Sequence, residues 1–445
     1  MKIFKVTLIL LLLLSCKEQS ENITIKLESK NGYGVFKPGR RIIFPSKDVI
    51  EYKGVPKDIK EYVVRSIPIQ RGQYVWNKYK SGGVDKNYFL KAVSYYKLDS
   101  TKMTTDFVDT EVLLLIGTNE KNKRVIIIDS NNDEDFNGEE ILLYEYPISK
   151  EEQKKVSNSL PSIETSFEFF LNNEIITKRI SLKPSPYKKS LRVKFRTDNE
   201  IEKKYFLFIS IPEYRKGKFR INKEEYNLFV SNRFTKPSFS NQDTKIFINK
   251  LNQSSSELDG DIPYQIGDIF NSNGHDYQIE SISIFGDTLK LKYIGDNAYP
   301  VGITEGFYLP KFKDKKLDNS IFTLEDYPNK YVLIDFWGTW CNPCIKLIPK
   351  LKELNNEFKD KDFVLVSIAY DKNIEKVQEF INKEEMNWVH VFADRNQFDK
   401  NSLVNKLRIS KYPTTILISP SGKIISRGND LDKLKKIIDQ KVNLQ

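Results

Sequence analysis

The segment Val332-Leu-Ile-Asp-Phe-Trp-Gly-Thr-Trp-Cys-Asn-Pro-Cys344 constrains this chain more than any other. An apolar run of strand type is followed at once by two cysteines, Cys341 and Cys344, where a helix can begin. Ile345, Ile348, Leu351, Leu354 and Phe358 then recur at helical spacing. A Cys-x-x-Cys on a strand-to-helix turn is the arrangement of a dithiol that exchanges disulfides. The sequence holds only 3 cysteines, and the third, Cys16, has a separate explanation. No structural disulfide is available elsewhere, so the pair is either a redox centre or half of a metal site. A structural zinc needs four ligands, usually Cys or His. Beyond the pair the chain offers only His275 and His390, which makes zinc the poorer reading.

At 445 residues the chain is long enough for about two or three domains. A hydrophobic content of 39% and an aromatic content of 12% suffice for sizeable cores and exclude global disorder. The net charge of +11 is scattered among Glu and Asp rather than gathered in arms, which reads as a solvated, Lys-rich surface. No groove-reading basic helix, metal finger or RNA-binding signature occurs, so no nucleic-acid partner is expected.

The N-terminus carries an address. Met1 to Lys5 is a short basic start, and Val6 to Leu14 is an apolar run too short to span a bilayer. Residues 1–15 read as a signal peptide. They end in Leu13-Leu14-Ser15 before Cys16, which resembles a bacterial lipobox. That resemblance implies a diacylated Cys16 as the first mature residue, with residues 16–21 as a lipidated tether. Several acyl chains anchor firmly where one alone is marginal. Lys17 rather than Asp follows the cysteine, which in the resemblance points to the outer membrane. The expected location is the bacterial cell envelope, lipid-anchored to the outer membrane and facing the periplasm.

Residues 22–300 read as a β-rich region. Short alternating or apolar runs recur, among them Asn22 to Leu27, Val112 to Ile116, Val125 to Ile128, Ile141 to Tyr144, Leu191 to Phe195, Tyr205 to Ile211 and Leu289 to Tyr293. Asn, Gly, Asp and Pro clusters separate them. A polar stretch near residues 149–162 is expected to divide the region into two subdomains. Val125 to Tyr144 and Leu228 to Ile248 share a faint echo of strand, polar loop, phenylalanine and strand. From Val301 the pattern changes to alternating strand and helix, which predicts an α/β domain over residues 301–445 with helices on both faces of a central sheet. The fold class is thus multidomain, a β-rich N-terminal region followed by an α/β domain.

Phe336-Trp-Gly-Thr-Trp-Cys-Asn-Pro-Cys344, Leu309-Pro-Lys-Phe312 and Tyr412-Pro-Thr-Thr-Ile-Leu-Ile418, followed by Ser421-Gly-Lys423, resemble the ordered motifs of the TlpA/ResA type of thiol-disulfide oxidoreductase, a thioredoxin-like fold. The resemblance implies a redox-active disulfide Cys341–Cys344 and a cis Tyr412–Pro413 bond facing it, with no further cofactor required. Cys341 would lie exposed at the helix N-terminus, where unpaired N–H groups favour a thiolate. Cys344, more buried, would resolve the mixed disulfide. Pro343 stiffens the first turn, and Pro349 should kink the helix. Trp337, Trp340 and Tyr412 would support the site. Asp335 lies in the apolar strand, so burial should raise its pKa and suit it to accept a proton. Many ResA-like proteins place a glutamate three residues after the second cysteine. Here that residue is Leu347, which leaves Asp335 as the proton acceptor.

The inner pair Asn342-Pro343 lacks the histidine of strongly oxidising relatives, so a reductant is expected. Its partners would be envelope proteins with disulfides, an upstream membrane thiol donor, and the membrane itself through lipid on Cys16. The competing class is an envelope binding lipoprotein whose β-rich region recognises a partner and whose redox domain is accessory. Separately, Asp129, Asn131, Asp133, Asp135 and Glu140 match positions 1, 3, 5, 7 and 12 of a calcium loop. Glu134 replaces the usual glycine and the flanks read as strands, so a solvated acidic turn is the other reading.

Overall fold

The computed structural model describes residues 22–442 except 40, 44–51, 97, 146–148, 150, 153–159, 186–199, 206, 235, 240–242 and 252–261. Cys16 and its signal, and the strand expected from Leu191 to Phe195, lie outside the described residues.

The β-rich region forms two sandwiches. One pairs the sheet Ile59–Pro68, Glu111–Asn119, Arg124–Ile128, Ile141–Tyr144 with the sheet Arg41–Ile43, Leu207–Ser210, Glu174–Ser185, Ile163–Leu171. Their facing residues, including Leu114, Ile126, Phe167, Leu182 and Leu207, share one core. The other pairs the sheet Ile23–Lys26, Thr288–Asp296, His275–Ile282, Ile269–Ser272 with the sheet Glu28–Asn31, Glu213–Ile221, Glu224–Ser231, Lys245–Lys250. Ile25, Leu228, Ile246, Ile279 and Leu291 fill its core.

The described chain therefore enters the second sandwich first, leaves to build the other, and returns. The division expected near residues 149–162 does not separate the cores. Leu142 and Tyr144 before it pack with Ile163 and Phe167 after it, because those strands belong to facing sheets. Two helices, Arg71–Lys80 and Lys86–Tyr96, stand in a region read from sequence as strands. Val75, Phe89 and Ala92 bury the seam between them.

The C-terminal domain has a five-stranded sheet in the order Val389–Asp394, Phe363–Asp371, Tyr331–Trp337, Thr414–Ile418, Ile424–Gly428. The first two neighbours pair in parallel and the last two antiparallel. Side chains alternate across a strand. Val332, Ile334 and Phe336 accordingly enter the core that holds Leu309, Phe322 and Leu403. Leu333 turns the other way, onto Leu351, Leu354 and Phe358 of the helix Ile348–Phe358 and onto Leu434 and Ile438 of Leu431–Val442. Arg408 joins the domain to the second sandwich. Its Nη1 donates to Asp268 Oδ2 at 2.7 Å, and Nη2 bonds Oδ1. Such a two-pronged guanidinium–carboxylate pair fixes orientation as well as distance.

Candidate functional site

The central strand Tyr331–Trp337 is buried along its whole length and delivers the chain to one end of the sheet. Gly338 lets it turn. A Cβ there would sit 2.5 Å from Trp340 Nε1 and 2.9 Å from the Tyr370 carbonyl oxygen, so only glycine fits. Asp371, at the end of the neighbouring strand, then captures the loop: its Oδ2 accepts from Thr339 N at 2.8 Å and Thr339 Oγ1 at 2.7 Å.

Cys341 is the N-cap of a short helix, Asn342–Ile345, with Pro343 in its first turn. Cys341 and Cys344 form a disulfide with a Cα–Cα separation of 5.3 Å. The Cys344 N–H donates to Cys341 Sγ at 3.2 Å. After reduction the same N–H and the helix terminus favour a thiolate on Cys341. The expected continuous helix breaks after Ile345 and resumes at Ile348. Pro349 has no N–H to give and its ring crowds the preceding turn, so the break precedes it.

Burial differs from the sequence expectation. Cys341 and Cys344 are each 3% exposed and share one buried cluster with Trp337, Ile348, Ala369, Val377 and Met386, with Tyr412 packed against it. Trp340 is the open part of the site, 42% exposed. Its Nε1 donates to the Tyr370 carbonyl at 2.9 Å. The Tyr412–Pro413 bond is cis. Pro413 directly precedes the pair Thr414–Phe336, which places it beside the end of the central strand. Tyr412 lies edge-on to Trp340 at 5.2 Å and parallel to Tyr370 at 5.9 Å.

Asp335 faces the same side as Leu333 and Trp337, so its carboxyl lies between the two clusters under the cysteine-bearing helix. It is 3% exposed. Burial pushes its pKa up to about 7, opposed by a hydrogen bond from Ser367. Ser367 Oγ donates to Asp335 Oδ2 at 3.3 Å and accepts from Trp388 Nε1 at 2.9 Å. The structure thus gathers Asp335, Trp337, Trp340, Cys341, Pro343, Cys344, Tyr412 and Pro413 at one end of the sheet. Sequence reasoning missed Ser367, Tyr370, Asp371, Trp388 and Arg395. Each lies in or next to the strands Phe363–Asp371 and Val389–Asp394, which neighbour the central one.

Neither histidine joins this set as a catalyst. His390 is buried, its Nε2 lies 2.9 Å from the Met386 carbonyl, and burial lowers its pKa to about 4. His275 Nδ1 contacts Asp296 Oδ1 at 2.7 Å in the second sandwich.

The acidic loop departs from the calcium spacing. Asp129 is buried and accepts from the N–H groups of Asp133 at 3.1 Å and Glu134 at 2.9 Å. Glu139 turns inward to Ser130 N and Oγ at 2.9 and 2.7 Å, while Glu140, the expected twelfth ligand, is exposed. Asn131 bonds Asp133, and Asp135 accepts from Asn137 N. Among the described residues no group of three or more His, Cys, Asp or Glu is arranged to hold a metal ion. The loop is held as a hydrogen-bonded turn in this structure.

A family model described as thioredoxin-like matches residues 329–424. The chain is 29% identical over 161 residues to the thioredoxin-like protein YneN of Bacillus subtilis, covering 34% of this chain and 90% of that protein. It is 31% identical over 144 residues to the thiol-disulfide oxidoreductase ResA of Oceanobacillus iheyensis, covering 32% of this chain and 68% of that protein. Among solved structures it is similar to the thioredoxin domain of a thiol-disulfide oxidoreductase from Bacteroides vulgatus. The identity there is 28% and the TM-score 0.29, with 32% of this chain and 99% of that one covered.

Proposed function

This chain belongs, through its C-terminal third, to the ResA-type thiol-disulfide oxidoreductases, and from that premise we propose that it reduces disulfides of envelope proteins while anchored to a membrane by lipid on Cys16. One observation carries the redox part: a Cys341–Cys344 disulfide at a helix start, above a buried carboxyl whose pKa burial pushes up to about 7.

The working form is the reduced pair. Cys341 thiolate attacks one sulfur of a client disulfide. A mixed disulfide forms and the other client sulfur leaves as a thiolate. Asp335 accepts the Cys344 proton as Cys344 attacks Cys341 Sγ. The client departs with two electrons more, and Cys341–Cys344 returns to the disulfide seen here. A thiol donor at the membrane must then restore the two electrons. The lipobox-like end at Cys16 supports the anchor and the outer-membrane, periplasm-facing location. The missing histidine in Asn342-Pro343 supports the reducing direction.

The test is to express Cys344→Ser in the native cell. Clients should accumulate as mixed disulfides on Cys341. An empty trap, or a potential of the purified domain above about −150 mV against a thioredoxin value near −270 mV, would overturn the reductase reading.

A further inference from the structure

The rim beside the disulfide carries a cation that the redox steps do not use. Arg395 follows the strand Val389–Asp394, and its backbone N–H donates to the Asp371 carbonyl at 2.7 Å. That bond ties it to the strand end that also holds Thr339. Its guanidinium carbon lies 4.2 Å from the centre of the Trp340 ring. Trp340 precedes Cys341 in the chain and is itself pinned, through Nε1 to the Tyr370 carbonyl and edge-on to Tyr412.

The neighbouring carboxylates are occupied. Asp371 accepts from Thr339 N, Thr339 Oγ1 and Lys372 N. Asp394 Oδ1 accepts from Asn396 N at 2.7 Å. Among the described residues no ion pair forms on the Arg395 guanidinium, which is exposed, as are Lys372, next to Asp371, and Lys411, next to Tyr412. A guanidinium lying over an indole is weakly hydrated and keeps its planar fork of N–H donors free at its edge, ready for a carboxylate. The stack holds the side chain in place before any partner arrives, so little rotamer freedom is lost on binding.

We propose that Arg395, laid over Trp340, selects clients carrying an Asp or Glu next to the half-cystine that Cys341 attacks. This rests on the thiol-disulfide reading above. The client lies against Trp340 and Tyr412, and its carboxylate bridges to Arg395 without entering the exchange. The bonds made and broken are those of the two-step exchange already described.

The test uses the full chain, reduced beforehand, and two disulfide-bonded peptides that differ only in Glu or Lys beside the cysteine. Wild type should reduce the Glu peptide with a kcat/KM about threefold higher, the scale of one exposed ion pair, and added salt should erase the difference. Arg395→Glu should invert the preference, and Arg395→Lys should keep part of it. The charge ratio is a readout that mere loss of stability would not move. Equal rates on both peptides in wild type, or an unchanged ratio in Arg395→Glu, overturn the proposal while leaving the oxidoreductase intact. Failure to reduce either peptide overturns the redox reading itself, and this proposal with it.

Discussion

Ser367 donates its hydroxyl to Asp335 across the parallel strand pair, Oγ to Oδ2 at 3.3 Å, and is itself held by Trp388 Nε1 at 2.9 Å. Registration sets this contact, since Asp335 and Ser367 are direct partners in the sheet. Both are buried, and the Ser367 hydroxyl donates to the Asp335 carboxylate, which favours its charged form. Ser367→Ala should raise the proton affinity of Asp335 further. The pH profile of the resolving step should move up by about one unit, on the scale of a hydrogen bond to a charged group. Ser367→Thr should restore most of the shift. Single-turnover release of client from the mixed disulfide, followed against pH, checks it. An unmoved profile would remove Ser367 from the proton chemistry.

Asp335 also links stability to pH. Its folded pKa, about 7, lies above the ordinary value of 3.8. Between those values the folded state binds the extra proton, so stability is full at low pH and falls as pH rises through about 7. Asp335→Asn should therefore stabilise the oxidised protein at pH 8 by about 4 kcal/mol and do little at pH 4. Urea unfolding of the disulfide form at the two pH values measures this.

His390 acts in the opposite sense. Burial lowers its pKa from 6.5 to about 4. Its contribution is present above pH 6.5 and is lost as pH falls through about 4, because the unfolded chain takes up the proton first. His390→Gln should flatten the acid side of the stability curve by about 2 kcal/mol, seen in the same urea series at pH 5 and below.

Gly338→Ala should cost both stability and activity. The new methyl would press on Trp340 Nε1 and the Tyr370 carbonyl, at 2.5 and 2.9 Å. Separating that hydrogen-bonded pair should lower stability by about 2 kcal/mol. Trp340 should become more solvent-exposed, read as a red-shifted fluorescence. An unchanged melting curve and spectrum would show that the turn has room to adjust.

Much of the C-terminal domain was legible along the chain. The alternation of apolar runs with helical spacing is local, and so is the meeting of strand end, cysteine and helix start at Val332 to Cys344. Burial of Asp335 also followed from its place in an apolar strand. The acidic loop's side-chain directions were not legible, because spacing alone does not aim side chains: Glu139, not Glu140, turns to Ser130. The helices Arg71–Lys80 and Lys86–Tyr96 were missed because their apolar contacts are few and mostly with each other.

What the sequence determined by itself is the chemistry available: two cysteines in exchange spacing, a carboxyl in the strand before them, and a proline after Tyr412. Tertiary structure alone decided who stands beside them. Strand registration brings Ser367 to Asp335 and carries Asp371, Arg395 and Tyr412 to the rim, from segments 30 or more residues beyond the central strand. It also made both cysteines equally buried and sent the chain out of one sandwich and back again. Such pairings depend on which strand edges find each other across long loops, and local periodicity carries no record of that choice.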